Sequence, residues 1–143
     1  MFKRKIEDLL SRWKKNKDKM PIIIKGCRQC GKTSSVLDFA HKNYKNVVYL
    51  DFFQNPEYKT IFDGSLEIDN LVLNISTLVP SARIETGNTC LVFDEIQDCP
   101  RARTSLKFFK TDGRFDVICT GSLLGVSGYK AQETDAGTPA PIP

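Results

Sequence analysis

The octapeptide GCRQCGKT, Gly26 to Thr33, constrains this chain more than any other stretch. It carries two patterns at once. By its glycines it is G-x-x-x-x-G-K-T, a loop that wraps phosphate groups; by its cysteines it is C-x-x-C, a redox pair or half of a zinc site. The flanking sequence decides between them. Pro21 opens PIIIK, a short β-branched run that suits a buried parallel strand and leads directly into Gly26. From Lys32, KTSSVLDFAHK sets Val36, Leu37 and Ala40 on one side at helical spacing, with no Pro or Gly before Pro56. A strand before and a helix after are what a phosphate loop requires.

The chemistry follows from the residue types. Gly26 and Gly31 allow the torsions that turn backbone N–H groups inward, and Cys27, Arg28, Gln29 and Cys30 fill the variable positions between them. Lys32 adds a mobile positive charge. The Thr33 hydroxyl can ligate Mg²⁺ at the positive end of the helix. Such a loop needs an acidic residue at the end of a later apolar strand, and CLVFDEIQ supplies it. Asp94 is expected at the carboxyl edge of the sheet, positioning the Mg²⁺ through water. Glu95 is expected to face the γ-phosphate as a general base that orients the attacking water.

The zinc reading lacks partners. A structural site needs a second ligand pair, and Cys90, Cys99, Cys119 and the single His41 offer no C-x-x-C or H-x-x-x-H spacing. Cys90 and Cys119 fall on predicted strands as small core residues, and His41 reads as a surface residue late on a helix. Five cysteines and no secretory signal imply reduced thiols in the cytoplasm.

A length of 143 residues suits one domain with a real core. No apolar run approaches the roughly 18 residues that span a bilayer, so no membrane association is expected. The net charge of +4 is local: residues 1–25 carry nine Lys/Arg against three Asp/Glu, a net of +6 that leaves −2 for the remainder. A basic segment can touch nucleic acid or an anionic surface, and a protein partner or self-association is a separate expectation. The preferred reading of residues 1–20 is an amphipathic helix docked by Phe2, Ile6, Leu9, Leu10 and Trp13, with its lysines solvated.

Residues 21–127 read as the core. NVVYLDF is a second strand, and EIDNLVLNISTLV a helix with Ile68, Leu71, Val72, Ile75, Leu78 and Val79 on its apolar side. TCLVFDEIQ is a third strand, RARTSLKFFK a helix and FDVICTGS a fourth strand. Strands alternating with helices imply an α/β fold, a three-layer P-loop core with a parallel sheet. Residues 128–143, with three prolines near their end and almost nothing to bury, read as a disordered tail.

GCRQCGKT, VVYLDF, FDEIQDCP, SLKFF and VICTGSLLG together resemble the AAA+ ATPase domain of the prokaryotic ATPase family that carries a C-terminal DUF4143 domain. The resemblance spans about residues 3–130, and Arg28-Gln29 and Gln97 are its more specific marks. It implies ATP rather than GTP, Asp94 and Glu95 as the Walker B pair, and Thr120 or Ser122 as the polar sensor after the fourth strand. A strand-ending turn is the plain alternative for Thr120-Gly121-Ser122. The family continues into a fifth strand, a helical lid carrying a second sensor and a further domain, whereas this chain runs into ETDAGTPAPIP. The expectation is a core truncated before the last strand and lid. Arg101, Arg103 and Arg114 are the arginines nearest the motifs, and none is assignable as an arginine finger. ATP hydrolysis is the natural reaction; a non-catalytic nucleotide-dependent interaction module, or the remnant of an interrupted ATPase gene, is the rival. A P-loop kinase would need an acceptor site that the sequence does not reveal.

Overall fold

A computed structural model describes residues 2–26, 31–122 and 132–135. Helix α1 (Phe2–Lys15) precedes strand β1 (Ile22–Lys25), and α2 (Lys32–Asn43) leads to β2 (Asn46–Asp51). After a 3-10 segment at Pro56–Phe62 come α3 (Ile68–Leu78), β3 (Thr89–Asp94), a 3-10 turn at Ile96–Asp98, α4 (Pro100–Asp112), β4 (Asp116–Gly121) and β5 (Gln132–Asp135). All pairings are parallel, in the order β2-β3-β4-β1-β5.

Each strand alternates its side chains between two cores, because successive Cβ atoms point to opposite faces. Ile22 and Ile24 of β1, Cys90 and Val92 of β3 and Ile118 of β4 pack with Ile6, Leu10 and Trp13 of α1 and Val36, Phe39 and Ala40 of α2. Ile23, Leu91, Phe93, Val117 and Cys119 face the other way, onto α3 and α4. Both faces of the sheet are covered, which is why its strands read as unbroken apolar runs. Each Ile, Leu or Phe buried in this way contributes about 1.5–3 kcal/mol, enough for three anchors to dock α1 by one stripe.

On the α3/α4 face, Phe52, Phe62, Phe93 and Phe109 meet edge to face with ring centroids 5.6–6.0 Å apart. Ile68, Leu71 and Ile75 bury the inner side of α3, whereas Leu78, in its final turn, stays 39% exposed instead of joining the apolar side read for it.

The sheet also departs from the sequence reading at its far edge. Gln132–Asp135 pairs with β1, Ile22 opposite Gln132 through Lys25 opposite Asp135, so the sheet does not stop before a fifth strand and residues 128–143 are not uniformly unstructured. QETD has no apolar side chain, hence no periodicity to find. An edge strand needs only its backbone bonds. The rest of 123–143 lies outside the described residues.

The strand order positions the site. β4 lies between β3 and β1, so the carboxyl ends of these strands bring Gly26, Asp94-Glu95 and Gly121-Ser122 to one edge. In open α/β sheets, this edge is where ligands bind.

Candidate functional site

Gly31 takes a left-handed backbone, φ 87°, directly before the first residue of α2. A side chain would be strained there, and the turn aims the amino end of a 12-residue helix at the sheet edge. At the other end of the loop the Gly26 N–H donates to the Gly121 carbonyl at 3.1 Å, tying β1 to the end of β4. Cys27, Arg28, Gln29 and Cys30 lie outside the described residues.

Lys32 is only 3% exposed, yet its Nζ reaches across to donate to Ser122 Oγ at 3.2 Å. Ser122 Oγ donates in turn to Glu95 Oε2 at 3.0 Å. Thr33 Oγ1 donates to Asp94 Oδ1 at 3.2 Å. The start of α2 and the ends of β3 and β4, far apart in sequence, thus meet through polar side-chain contacts.

Asp94 and Glu95 are 5% and 8% exposed, so their carboxylates require specific partners. Thr120 Oγ1 and Thr33 Oγ1 both donate to Asp94 Oδ1, and the Tyr49 hydroxyl donates to Oδ2. Glu95 sits in the left-handed region, φ 60°, the one non-glycine with positive φ among the described residues. Its N–H donates to Thr120 Oγ1 at 3.2 Å, and Gln97 Nε2 donates to its Oε1 at 2.6 Å. Between the two motifs opens a cavity of about 310 Å³ lined by Gly31, Lys32, Thr33, Ser34 and Glu95.

The two sensor candidates differ in place. Thr120 is fully buried and braces the acidic pair, whereas Ser122 links Lys32 with Glu95. Tyr49 and Gln97 were not read as site residues. Tyr49 projects from β2 toward Asp94 through a register that pairs Asp51 with Asp94, and no period along the sequence signals that. Gln97 carried a signal, its place two residues beyond the acidic pair, but not its contact.

The donors fit Mg²⁺. A hydroxyl and a carboxylate held 3.2 Å apart are hard oxygen ligands, and Mg²⁺ is held by few protein groups while keeping several waters. Among the described residues no three His, Cys, Asp or Glu side chains gather as a metal site. Cys90, Cys99 and Cys119 are buried free thiols, each pushed up in pKa by burial.

The arginines near the motifs have other duties. Arg101 donates to the carbonyls of Phe62 at 2.8 Å and Gly64 at 2.6 Å. Arg114 pairs with Asp112 at 3.0 Å and Asp69 at 2.7 Å, and Arg103 is buried in α4.

A parallel sheet in this order, with Gly26 after its first strand and Gly31 opening the next helix, defines a three-layer α/β fold of the P-loop class. Residues 18–140 match the family described as an AAA domain, and the chain belongs to that family. No match is found among curated proteins. Two solved structures are similar: the Aeropyrum pernix ORC1 protein in complex with DNA (TM-score 0.48, 11% identity, 92% of this chain) and C. elegans PCH-2 (TM-score 0.48, 18% identity, 96% of this chain). The chain spans 44% and 39% of their lengths. Among the described residues no helix is long and apolar enough to cross a membrane.

Proposed function

We propose that this chain binds Mg-ATP between Gly26–Thr33 and Asp94-Glu95 and hydrolyses it, slowly when alone. The observation that carries this reading is the contact of Thr33 with Asp94, which joins the loop helix to the acidic strand end as a shared metal site requires. The loop amides and the Lys32 ammonium bind the phosphates, exchanging the Ser122 contact for phosphate oxygens. Thr33 and Asp94 would hold Mg²⁺, with Tyr49 and Thr120 fixing the carboxylate. When bound, Mg²⁺ neutralises phosphate charge that the protein alone leaves uncompensated. Glu95 accepts the proton of the attacking water, and Ser122 feels the γ-phosphate from beside both Lys32 and Glu95.

Turnover is slow because charge developing on the γ-phosphate needs an arginine, worth about a thousandfold or more. Arg101 and Arg114 are committed elsewhere. A protein partner, a second copy of this chain included, would supply it. That same commitment favours the rival reading, a nucleotide-binding interaction module without turnover. The relationship to ATPases with a C-terminal DUF4143 domain, and a place in the cytoplasm, rest on the sequence motifs and the reduced thiols.

Single-turnover hydrolysis at saturating Mg-ATP tests the reading. A rate below about one per second, lowered about a hundredfold or more in Glu95→Gln with ATP still bound, is expected. Equal inertness of both proteins would leave only the binding module.

A further inference from the structure

Glu95 has a backbone that works against it. At φ 60° and ψ 55° it occupies the left-handed region, which is unfavourable for a non-glycine residue. Its N–H donates to Thr120 Oγ1, Ser122 donates to its Oε2 and Gln97 to its Oε1, the last bond at 2.6 Å the shortest of these. Thr120 is already engaged with Asp94, and Ser122 with Lys32. Gln97 Nε2 makes no second hydrogen bond among the described residues.

The other end of the Gln97 amide makes the same point. Its Oε1 is buried without a hydrogen-bond partner among the described residues. An unsatisfied buried acceptor is destabilising. Reversing the amide would leave that cost in place and turn an oxygen toward the Glu95 carboxylate, so the orientation answers to Glu95 alone. The amide is also confined from behind: a Cβ on Gly121 would lie 3.2 Å from Gln97 Oε1 and 3.8 Å from Ile96 Cγ2. The glycine between Thr120 and Ser122 thus leaves room for Gln97 to lie against the end of β4.

We infer that Gln97 is the positioning residue for Glu95, clamping its carboxylate at the mouth of the phosphate loop so that it meets the attacking water in one orientation. The inference rests on Glu95 acting as the base in ATP hydrolysis. Gln97 touches no substrate. It acts through Glu95 by a charge-assisted hydrogen bond, the stronger kind, and the one-turn 3-10 segment Ile96–Asp98 sets the spacing that lets a side chain two residues on reach back. Without this donor the Glu95 carboxylate loses the hydrogen bond that Gln97 gives to Oε1.

The test uses the full chain. Gln97→Met keeps the length and loses the donor. It should lower the single-turnover rate about tenfold to a hundredfold, the range expected for a misplaced catalytic group, and leave affinity for a fluorescent ATP analogue unchanged. In a Glu95→Gln background the same change should add no further loss, because no carboxylate is left to hold. In the nucleotide-free protein, the side-chain amide NMR signal of Gln97, identified by its loss in Gln97→Met, should shift with Glu95→Gln and with Gly121→Ala. An unchanged rate, an equal loss in both backgrounds, a fall in nucleotide affinity matching the fall in rate, or an amide signal indifferent to Glu95→Gln would each overturn the inference. Wild type that binds ATP without turning it over would overturn it too, while leaving the nucleotide site standing. A chain that binds no ATP would sink the proposed function itself, and would take this role for Gln97 with it.

Discussion

The Thr33 hydroxyl on the first turn of α2 donates to Asp94 Oδ1 at 3.2 Å, bridging sixty-one positions of sequence. The residue after the loop lysine and the acidic end of β3 are therefore neighbours, as a metal held between them requires. Thr33→Ala should weaken nucleotide binding in Mg²⁺ about tenfold, as loss of a metal-site oxygen does, and leave binding in EDTA unchanged. Titration of a fluorescent ATP analogue under both conditions checks this. Equal losses with and without Mg²⁺ would place Thr33 on the phosphates instead.

Arg101 is expected to be structural. Its guanidinium satisfies two carbonyls, those of Phe62 and Gly64, where the 3-10 segment turns toward α3. Arg101→Ala should cost about 1–2 kcal/mol, seen as a fall of several degrees in Tm, with the single-turnover rate unaltered. A lost rate at unchanged Tm would instead make it the missing finger.

Tyr44 sets an alkaline limit on stability. Burial first, then its hydrogen bond to Asp116, raises its pKa above the ordinary value of 10.0. A folded pKa above the unfolded one means stability fully present below about pH 10 and lost as pH rises beyond it. The buried thiols Cys90 and Cys119 act in the same direction from about pH 9. The stability advantage of wild type over Tyr44→Phe should therefore narrow above pH 10 in denaturant titrations. A constant gap up to pH 11 would show that Tyr44 ionises alike in both states.

What the sequence made legible is what local pattern controls. PIIIK and TCLVFDEIQ are apolar without alternation because each strand is buried on both faces, and that same run delivers Asp94 to the edge. What stayed hidden depends on the order of the strands. Nothing in NVVYLDF says that β2 lies beside β3, and only that register brings the Tyr49 hydroxyl to Asp94. β5 escaped because QETD offers no apolar residue for a periodic pattern. The Gln97 contact needed the left-handed turn at Glu95, a conformation that a glutamate does not advertise.

The central claim is that Lys32 binds the phosphates of ATP, and one titration tests it most directly. Lys32 is buried with its ammonium at the cavity between the two motifs, held by Ser122 at 3.2 Å, so its removal takes away a charge placed there rather than a solvated one. A fluorescent ATP analogue titrated with Mg²⁺ against wild type and Lys32→Ala, with equal Tm confirming that both are folded, should show affinity at least about tenfold weaker in the variant, the loss expected when a charged hydrogen-bond donor worth roughly 1.5–3 kcal/mol is removed. Equal affinity in the two proteins would contradict the assignment of this loop as a nucleotide site.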